Sequence, residues 1–355
     1  MPRWWLLVTR TWRLLPTRLH ETVFSRKFVL KLNGKGSAVE PMIKYRGGKS
    51  REIPNITWHI PRFSGRYVEP FVGGGALYFH LEPRDAIIND INEKLIDFYR
   101  GVRDDFTSLR EELDYIEERY RANRVEFEKL KAQFPDRRVD DKNEADYYRV
   151  RDQFNGLTEK RFSDAALYFY INKTSYSGMI RYNAKGEFNV PYGRYPNLNT
   201  SGVTASHSLL LQRTKVYNED YGKIFEMCEE NDFVFLDPPY DCTFTDYGNK
   251  EYKDGFNEEE HRRLADEFYK LPCKALMVIG KTPLIEELYG NDIIDEYGKK
   301  YSVNIRNRFK ARATHIVIAN YRKDEETICQ EQRYSLLETK HVTLFENKEG
   351  YGKYQ

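Results

Sequence analysis

Asp237-Pro238-Pro239-Tyr240 follows directly on an unbroken apolar run, Phe233-Val234-Phe235-Leu236. Such a run reads as a strand covered on both faces, and in an open α/β sheet ligands bind beyond the carboxyl ends of such strands. Two consecutive prolines fix the backbone and carry no N–H, which leaves their carbonyls to accept. A carboxylate beside the Pro238 carbonyl can take both hydrogens of one amino group, and Tyr240 adds a flat face for stacking. The tetrapeptide therefore suits an exocyclic amino group on a planar base. A rigid turn after a strand is the plainer reading of the same residues.

A second signal is Val68-Glu69-Pro70-Phe71-Val72-Gly73-Gly74-Gly75-Ala76. A strand, then glycines, then a helical stretch lets a nucleotide-like ligand approach the backbone. The next strand-like run ends at Asp90, where an acid can take two ribose hydroxyls. Together these say only that the ligand contains adenosine, and a nicotinamide dinucleotide fits as well. Ahead of both lies Lys44-Tyr45-Arg46-Gly47-Gly48-Lys49, a basic, glycine-bearing turn that by itself could be any surface loop.

The composition sets bounds on the rest. Hydrophobic residues make up 40%, which is globular, and the formal net charge is only +2, so a nucleic-acid partner must meet a local basic face. Most of the 27 Tyr and 21 Phe are expected to fill core positions. The four cysteines, Cys228, Cys242, Cys273 and Cys329, form no paired motif, and the seven histidines are scattered, so no disulfide framework and no metal are expected. Residues 1–40 hold a short apolar run, Trp4-Trp5-Leu6-Leu7-Val8, among Arg3, Arg10 and Arg13. It is far shorter than the roughly 20 residues a membrane span needs. We read residues 1–40 as a dispensable extension with Met42 as an alternative start, and the chain as cytoplasmic. Deleting the extension is expected to leave activity within a few-fold, and a soluble but inactive truncation would contradict this.

From Met42 onward strand-like and helical stretches alternate. Arg66-Tyr67-Val68-Glu69, Ala86-Ile87-Ile88-Asn89-Asp90, Phe233-Val234-Phe235-Leu236, Ala275-Leu276-Met277-Val278-Ile279 and Ile316-Val317-Ile318-Ala319 are buried-strand patterns, so an α/β chain with a mainly parallel sheet is expected. The middle breaks the rhythm. Leu109, Leu113, Ile116 and Tyr120 mark one helix face in a charged stretch, and after Asp164 Gly, Asn, Pro and Ser punctuate loops and a hairpin. An inserted domain is placed at about 106–204.

In this order the segments resemble the adenine-specific DNA methyltransferases typified by the bacterial Dam enzymes, the D12 class or alpha group. The Lys44 to Lys49 turn comes first, then Glu69-Pro70-Phe71-Val72-Gly73-Gly74-Gly75, then Asn89-Asp90-Ile91-Asn92, then an insertion, and Asp237-Pro238-Pro239-Tyr240 last. Arg181-Tyr182-Asn183-Ala184-Lys185-Gly186-Glu187-Phe188-Asn189-Val190-Pro191-Tyr192-Gly193 looks like the family's recognition hairpin, and Asn320-Tyr321 fits its closing motif. The resemblance covers about 42 to 323. It implies a Rossmann-like methyltransferase sheet with helices on both faces, split over 41–105 and 205–325, a helical and hairpin target-recognition domain at 106–204, and a tail at 326–355.

The resemblance also implies roles. Tyr45, Lys49, Glu69, Phe71, Gly73, Gly75, Asp90 and Asp237 would hold S-adenosyl-L-methionine, with Asp90 on the ribose and Asp220 near the adenine. Asp237, Pro238, Pro239 and Tyr240 would bind the target adenine, flipped from duplex DNA. Lys173, Arg181, Asn183, Lys185 and Arg194, interleaved with Tyr176, Tyr182, Tyr192 and Tyr195, would meet double-stranded DNA. For Arg306, Arg308, Lys310 and Arg312, surface strand and phosphate contact stand equal. The implied product is N6-methyladenine, with GATC as the first target to test, in a bacterial or phage-encoded monomer that does not engage membranes. A cognate restriction endonuclease stays open as a partner. One departure is Val278-Ile279-Gly280-Lys281, where many relatives carry Ser-Asn after the strand. Of the rivals, a cytosine-N4 methyltransferase usually has Ser in place of Asp237, an RNA or protein methyltransferase is disfavoured by the hairpin, and a non-catalytic DNA-binding module by the intact motifs.

Overall fold

The computed structural model describes residues 39–45, 47–240, 256–299 and 313–322. The extension up to residue 38, Arg46, Cys242, Cys329, the group Arg306, Arg308, Lys310 and Arg312, and the 326–355 tail lie outside the described residues.

The strands are β1 (Tyr67–Glu69), β2 (Ala86–Asn89), β3 (Thr214–Tyr217), β4 (Phe233–Leu236), β5 (Lys274–Gly280), β6 (Ile293–Lys299) and β7 (Ala313–Ala319). They form one seven-stranded sheet in the order β3-β2-β1-β4-β5-β7-β6. β1 pairs in parallel with β2 and β4, β2 with β3, and β4 with β5, while β7 runs antiparallel between β5 and β6. Every residue of β1, β2 and β4 is buried, as continuous apolar runs between two helical layers should be.

Alternation along the strands divides the interior into two cores. Tyr67, Phe233, Phe235, Leu276, Val278 and Val317 face one, and Val68, Val234, Leu236, Ala275, Met277 and Ile316 face the other. The first core is covered by α1 (Ile53–Thr57), α2 (Ala76–Leu81), α3 (Glu93–Asp104), α4 (Phe106–Gln133), α5 (Lys142–Phe154), α6 (Asp164–Thr174) and α7 (Ala205–Gln212). The second is covered by α8 (Tyr221–Glu226), α9 (Glu258–Phe268) and α10 (Pro283–Tyr289). The expected Rossmann-like methyltransferase architecture is thus present, with helices on both faces. Asn92, Ser163, Asn257 and Thr282 start four of these helices by accepting from a first-turn amide.

β3 and β6 had no clear signature in the sequence. Both are edge strands. β3 alternates buried and exposed positions and β6 carries Asp295 and Glu296, charges that blunt an edge and erase the apolar run.

In the 106–204 segment the expected helix face is real: Leu109, Leu113, Ile116 and Tyr120 are the buried side of α4. α6 is buried on nearly all sides from Ala165 to Asn172. A Cβ at Gly101 would stand 2.5 Å from the Ala165 Cβ, so a glycine lets α3 and α6 meet. Beyond α6 lie a short 3₁₀ turn (Tyr176–Gly178) and antiparallel bridges Ser175–Tyr192 and Tyr182–Phe188, the second closing the anticipated hairpin. These helices share the first core with the sheet.

Val39 and Glu40, the last residues of the expected extension, make hydrogen bonds to the fold. The Val39 amide donates to Glu82 Oε1 at 3.1 Å and the Glu40 carbonyl lies 2.8 Å from His207 Nε2, so both residues are tied into the fold. The truncation expected to spare activity is therefore removal of residues 1–38.

Candidate active site

The strand order reverses between β1 and β4, and a cleft of about 310 Å³ opens at their carboxyl ends. Its lining comes from Glu69, Phe71 and residues 73–75 after β1, Asp90 and Asn92 after β2, residues 237–240 after β4, and Lys44, Tyr45, Gly48 and Lys49. Of the residues anticipated from the sequence to bind a cofactor or the reacting group, all but Asp220 lie around this one cavity.

The glycine turn is shaped by backbone demands. Gly73 and Gly75 have φ of +47° and +65°, in the left-handed region that side chains avoid. A Cβ on Gly73 would stand 2.6 Å from Tyr45 Cε1, so the Tyr45 ring rests on the turn where no side chain fits. The Tyr99 hydroxyl donates to the Gly73 carbonyl at 2.7 Å. Asp90 holds the other side: its Oδ2 accepts from the Gly73 amide at 3.0 Å and its Oδ1 from the Asn92 amide at 2.9 Å.

Three carboxyl groups, Glu69, Asp90 and Asp237, surround the cleft with one buried ammonium, Lys49. Lys49 Nζ donates to Asp237 Oδ1, to the Tyr240 hydroxyl at 2.7 Å and to the Gly47 carbonyl at 3.4 Å. Glu69 accepts from the Tyr67 hydroxyl at 2.8 Å. Burial drives the Glu69 carboxyl well above the usual carboxylate range against the pull of that hydroxyl, and Asp237 and Asp90 push the same way. The cleft thus combines a carboxyl held neutral by burial, Glu69, with an ion pair, Lys49 and Asp237, and the Asp90 carboxyl bound to two backbone amides. Among the described residues no cluster of His, Cys, Asp or Glu could hold a metal ion.

The sequence profile of the D12 class N6 adenine-specific DNA methyltransferases matches residues 45–303. The chain belongs to that family. It is 33% identical over 290 residues to the type II methyltransferase M.CviBI of Paramecium bursaria Chlorella virus NC1A, a match covering 80% of this chain and 100% of that protein. It is 31% identical over 296 residues to the type II methyltransferase M1.LlaDCHI of Lactococcus lactis subsp. cremoris, covering 80% and 96%. The DNA adenine methylase of Haemophilus influenzae is 30% identical over 233 residues, covering 64% and 73%.

In this D12-class methyltransferase the residues expected to meet DNA are not equivalent. Arg181 and Lys185 are exposed, and Arg181 also lines the mouth of the cleft while its Nε donates to Asn189 Oδ1 at 3.1 Å. Asn183 is occupied by its own turn: Oδ1 accepts from the Lys185 and Glu187 amides and Nδ2 donates to Glu187. Arg194 is exposed, at a φ of +54°, and pairs with Glu144 at 3.1 Å. Lys173 is half-buried, 5.2 Å from the centre of the Phe169 ring, and burial together with neighbouring Lys44 lowers its pKa to about 8. Of the interleaved tyrosines, Tyr176 is exposed, whereas Tyr192 is buried with its hydroxyl 2.6 Å from that of Tyr120 and belongs to the core.

Asp220 lies outside the cleft lining; it caps α8 by accepting from the Gly222 amide at 2.9 Å and pairs with Arg263. Gly280, the departure noted at the end of β5, packs beside Tyr240, and a Cβ there would reach ordinary contact at 3.4 Å from Tyr240 Cδ2. Met179 and Ile180 also line the cleft beside Arg181, and their apolar character in a polar loop is their signal in the sequence. Asn172 is a fully buried amide ending the apolar run of α6. Asn172 Oδ1 accepts from the Lys44 amide at 2.9 Å and Nδ2 donates to the Lys44 carbonyl at 2.7 Å. No helix of the described residues is long and apolar enough to cross a membrane.

Proposed function

We propose that this chain transfers a methyl group from S-adenosylmethionine to N6 of an adenine flipped out of duplex DNA, with GATC as the expected site. The observation that carries the reading is the convergence of the Gly73 turn, Asp90 and the Asp237 motif on one acid-lined cleft. The cleft fits the donor in two ways: the glycine turn after β1 presents backbone to the ligand, and the Asp90 and Asp237 carboxylates favour a cation such as a sulfonium. Tyr45, Lys49, Glu69, Phe71, Gly73, Gly75, Asp90 and Asp237 would hold it, and when bound it supplies an activated methyl.

In this reading Asp237 and the Pro238 carbonyl accept the two N6 hydrogens, which turns the nitrogen lone pair toward the methyl. Lys49 fixes the Asp237 carboxylate through Oδ1, and Tyr240 stacks on the base. Unstacking the adenine costs a few kcal/mol, which the stacking and both hydrogen bonds offset. Catalysis is then mainly placement and charge, with no covalent enzyme intermediate. Residues 106–204 serve as the target-recognition part. Transfer of tritiated methyl into duplex DNA, with N6-methyladenine identified after digestion, tests the reading; N4-methylcytosine or no transfer would refute it.

Two predictions concern the DNA face. Arg181 can present a bidentate fork to a guanine edge, so Arg181→Ala should cost about 1–3 kcal/mol of discrimination at one base position. Lys185→Ala should instead lower affinity for all sequences and reduce the salt slope by about one unit. Methylation of the preferred site and its single-base variants at two salt concentrations separates the two; wild-type behaviour in both would remove the hairpin from the interface.

Lys173 gives a pH signature. With its pKa lowered to about 8, it is charged below that pH and loses its charge as pH rises through it. DNA affinity should therefore weaken across that window. Lys173→Arg, which stays charged, should abolish the drop in titrations on either side of it; an unchanged drop would exclude Lys173 as a phosphate contact.

A further inference from the structure

Besides Lys49, Tyr240 is held by groups that the methyl-transfer reading does not use. His315 of β7 is fully buried, and its ring stands 5.2 Å from the Tyr240 ring at 88°, edge against face. His315 Nδ1 lies 2.7 Å from Glu52 Oε2, which also accepts from the Tyr297 hydroxyl of β6 at 2.8 Å. The Glu52 amide donates to the Lys49 carbonyl at 2.7 Å, and Lys49 Nζ in turn donates to the Tyr240 hydroxyl. Gly280 of β5 packs beside the Tyr240 ring.

The rest of β7 shows what the sheet needs for stability. Ile316, Val317 and Ile318 are wholly buried aliphatic residues. Burying an imidazole and a carboxylate costs desolvation that their pairing only partly returns, and apolar replacements of such pairs are often neutral or stabilising. A polar group is retained in this strand at the position that touches Tyr240. Aromatic pairs in this edge-to-face arrangement have a preferred geometry, so the imidazole orients the ring as well as filling space.

We propose that His315, anchored by Glu52 and Tyr297, is a positioning residue that sets the plane of the Tyr240 ring for stacking on the target base. The inference rests on the reading of Tyr240 as the base-stacking residue. His315 acts through Tyr240 and touches neither donor nor DNA. Loss of its edge leaves the Tyr240 ring free to tilt, and misplacement of about 1 Å in a catalytic constellation can cost about 10²-fold in rate.

The test uses the full chain and a duplex carrying 2-aminopurine at the target position, whose fluorescence rises when the base leaves the stack. His315→Leu should lower kcat by at least about tenfold and reduce the fluorescence rise, while KM for the methyl donor stays near wild type; Tm should fall to a similar extent in His315→Leu and His315→Phe, since both remove the imidazole from the buried Glu52 carboxyl. His315→Phe, which keeps an aromatic edge, should recover most of both signals. His315→Gln, which keeps a partner for Glu52 but has no ring, should not. Wild-type kcat and fluorescence in His315→Leu overturn the inference, as does recovery by Gln in preference to Phe. If His315→Leu does not fold, the comparison of Phe with Gln decides alone. Asp237→Asn serves as the control: if it stays active, the reading of the site itself fails, whereas an inactive Asp237→Asn beside a wild-type His315→Leu refutes only the positioning role.

Discussion

Asp237→Asn is expected to lower methyl transfer by about 10³-fold or more while donor binding and folding stay measurable. The size follows from removing an acceptor aimed at the charge that develops on the reacting nitrogen, an effect of about 10²–10³ for a single such contact elsewhere. Here a second loss adds to it. An amide at this position keeps a single acceptor oxygen, so whichever way it turns its N–H groups face either the Lys49 ammonium or the substrate amino group, and on that side donor faces donor. Asn is a better test than Ala because Lys49 is buried, and an alanine would strand its ammonium. Tritium transfer under single-turnover conditions, with donor affinity measured alongside, checks the result. Turnover within tenfold of wild type would remove Asp237 from the reaction.

Gly73→Ala is expected to weaken donor binding by at least about tenfold. A left-handed backbone costs a non-glycine residue about 1–2 kcal/mol. The larger penalty is steric: the new Cβ would stand 2.6 Å from the Tyr45 ring, which must shift and take the wall of the cleft with it. Gly202 offers a control, since a Cβ there meets nothing within 4 Å. Equilibrium titration with S-adenosylmethionine should show normal affinity for Gly202→Ala and weak affinity for Gly73→Ala. Equal affinities would separate the glycine turn from the donor site.

The chemistry-bearing part of this fold was legible because it depends on short local rules. Apolar runs ending in Glu69, Asn89 and Leu236 announced parallel strands, and Gly73 announced a backbone that excludes side chains. What the sequence concealed was long-range. Nothing local to Asp220 says that Arg263 and the α8 amide occupy it. Tyr192 looks like any tyrosine in a basic loop until Tyr120, far away in sequence, receives its hydroxyl. His315 sits in an apolar strand, and its meaning depends on Glu52 and Tyr240 arriving from elsewhere. The 106–204 segment carries its own texture but shares a core with the sheet, because the α6 run that buries it is as apolar as any strand.

The Asn172 clamp on Lys44 has a kinetic consequence. Its two hydrogen bonds stitch the turn that precedes Tyr45 to the last residues of α6, from which the recognition hairpin departs. Opening either segment breaks bonds in the other, so the two should exchange their amide hydrogens with solvent as one cooperative unit. A ligand that quiets one segment should then slow amide exchange in the other as well.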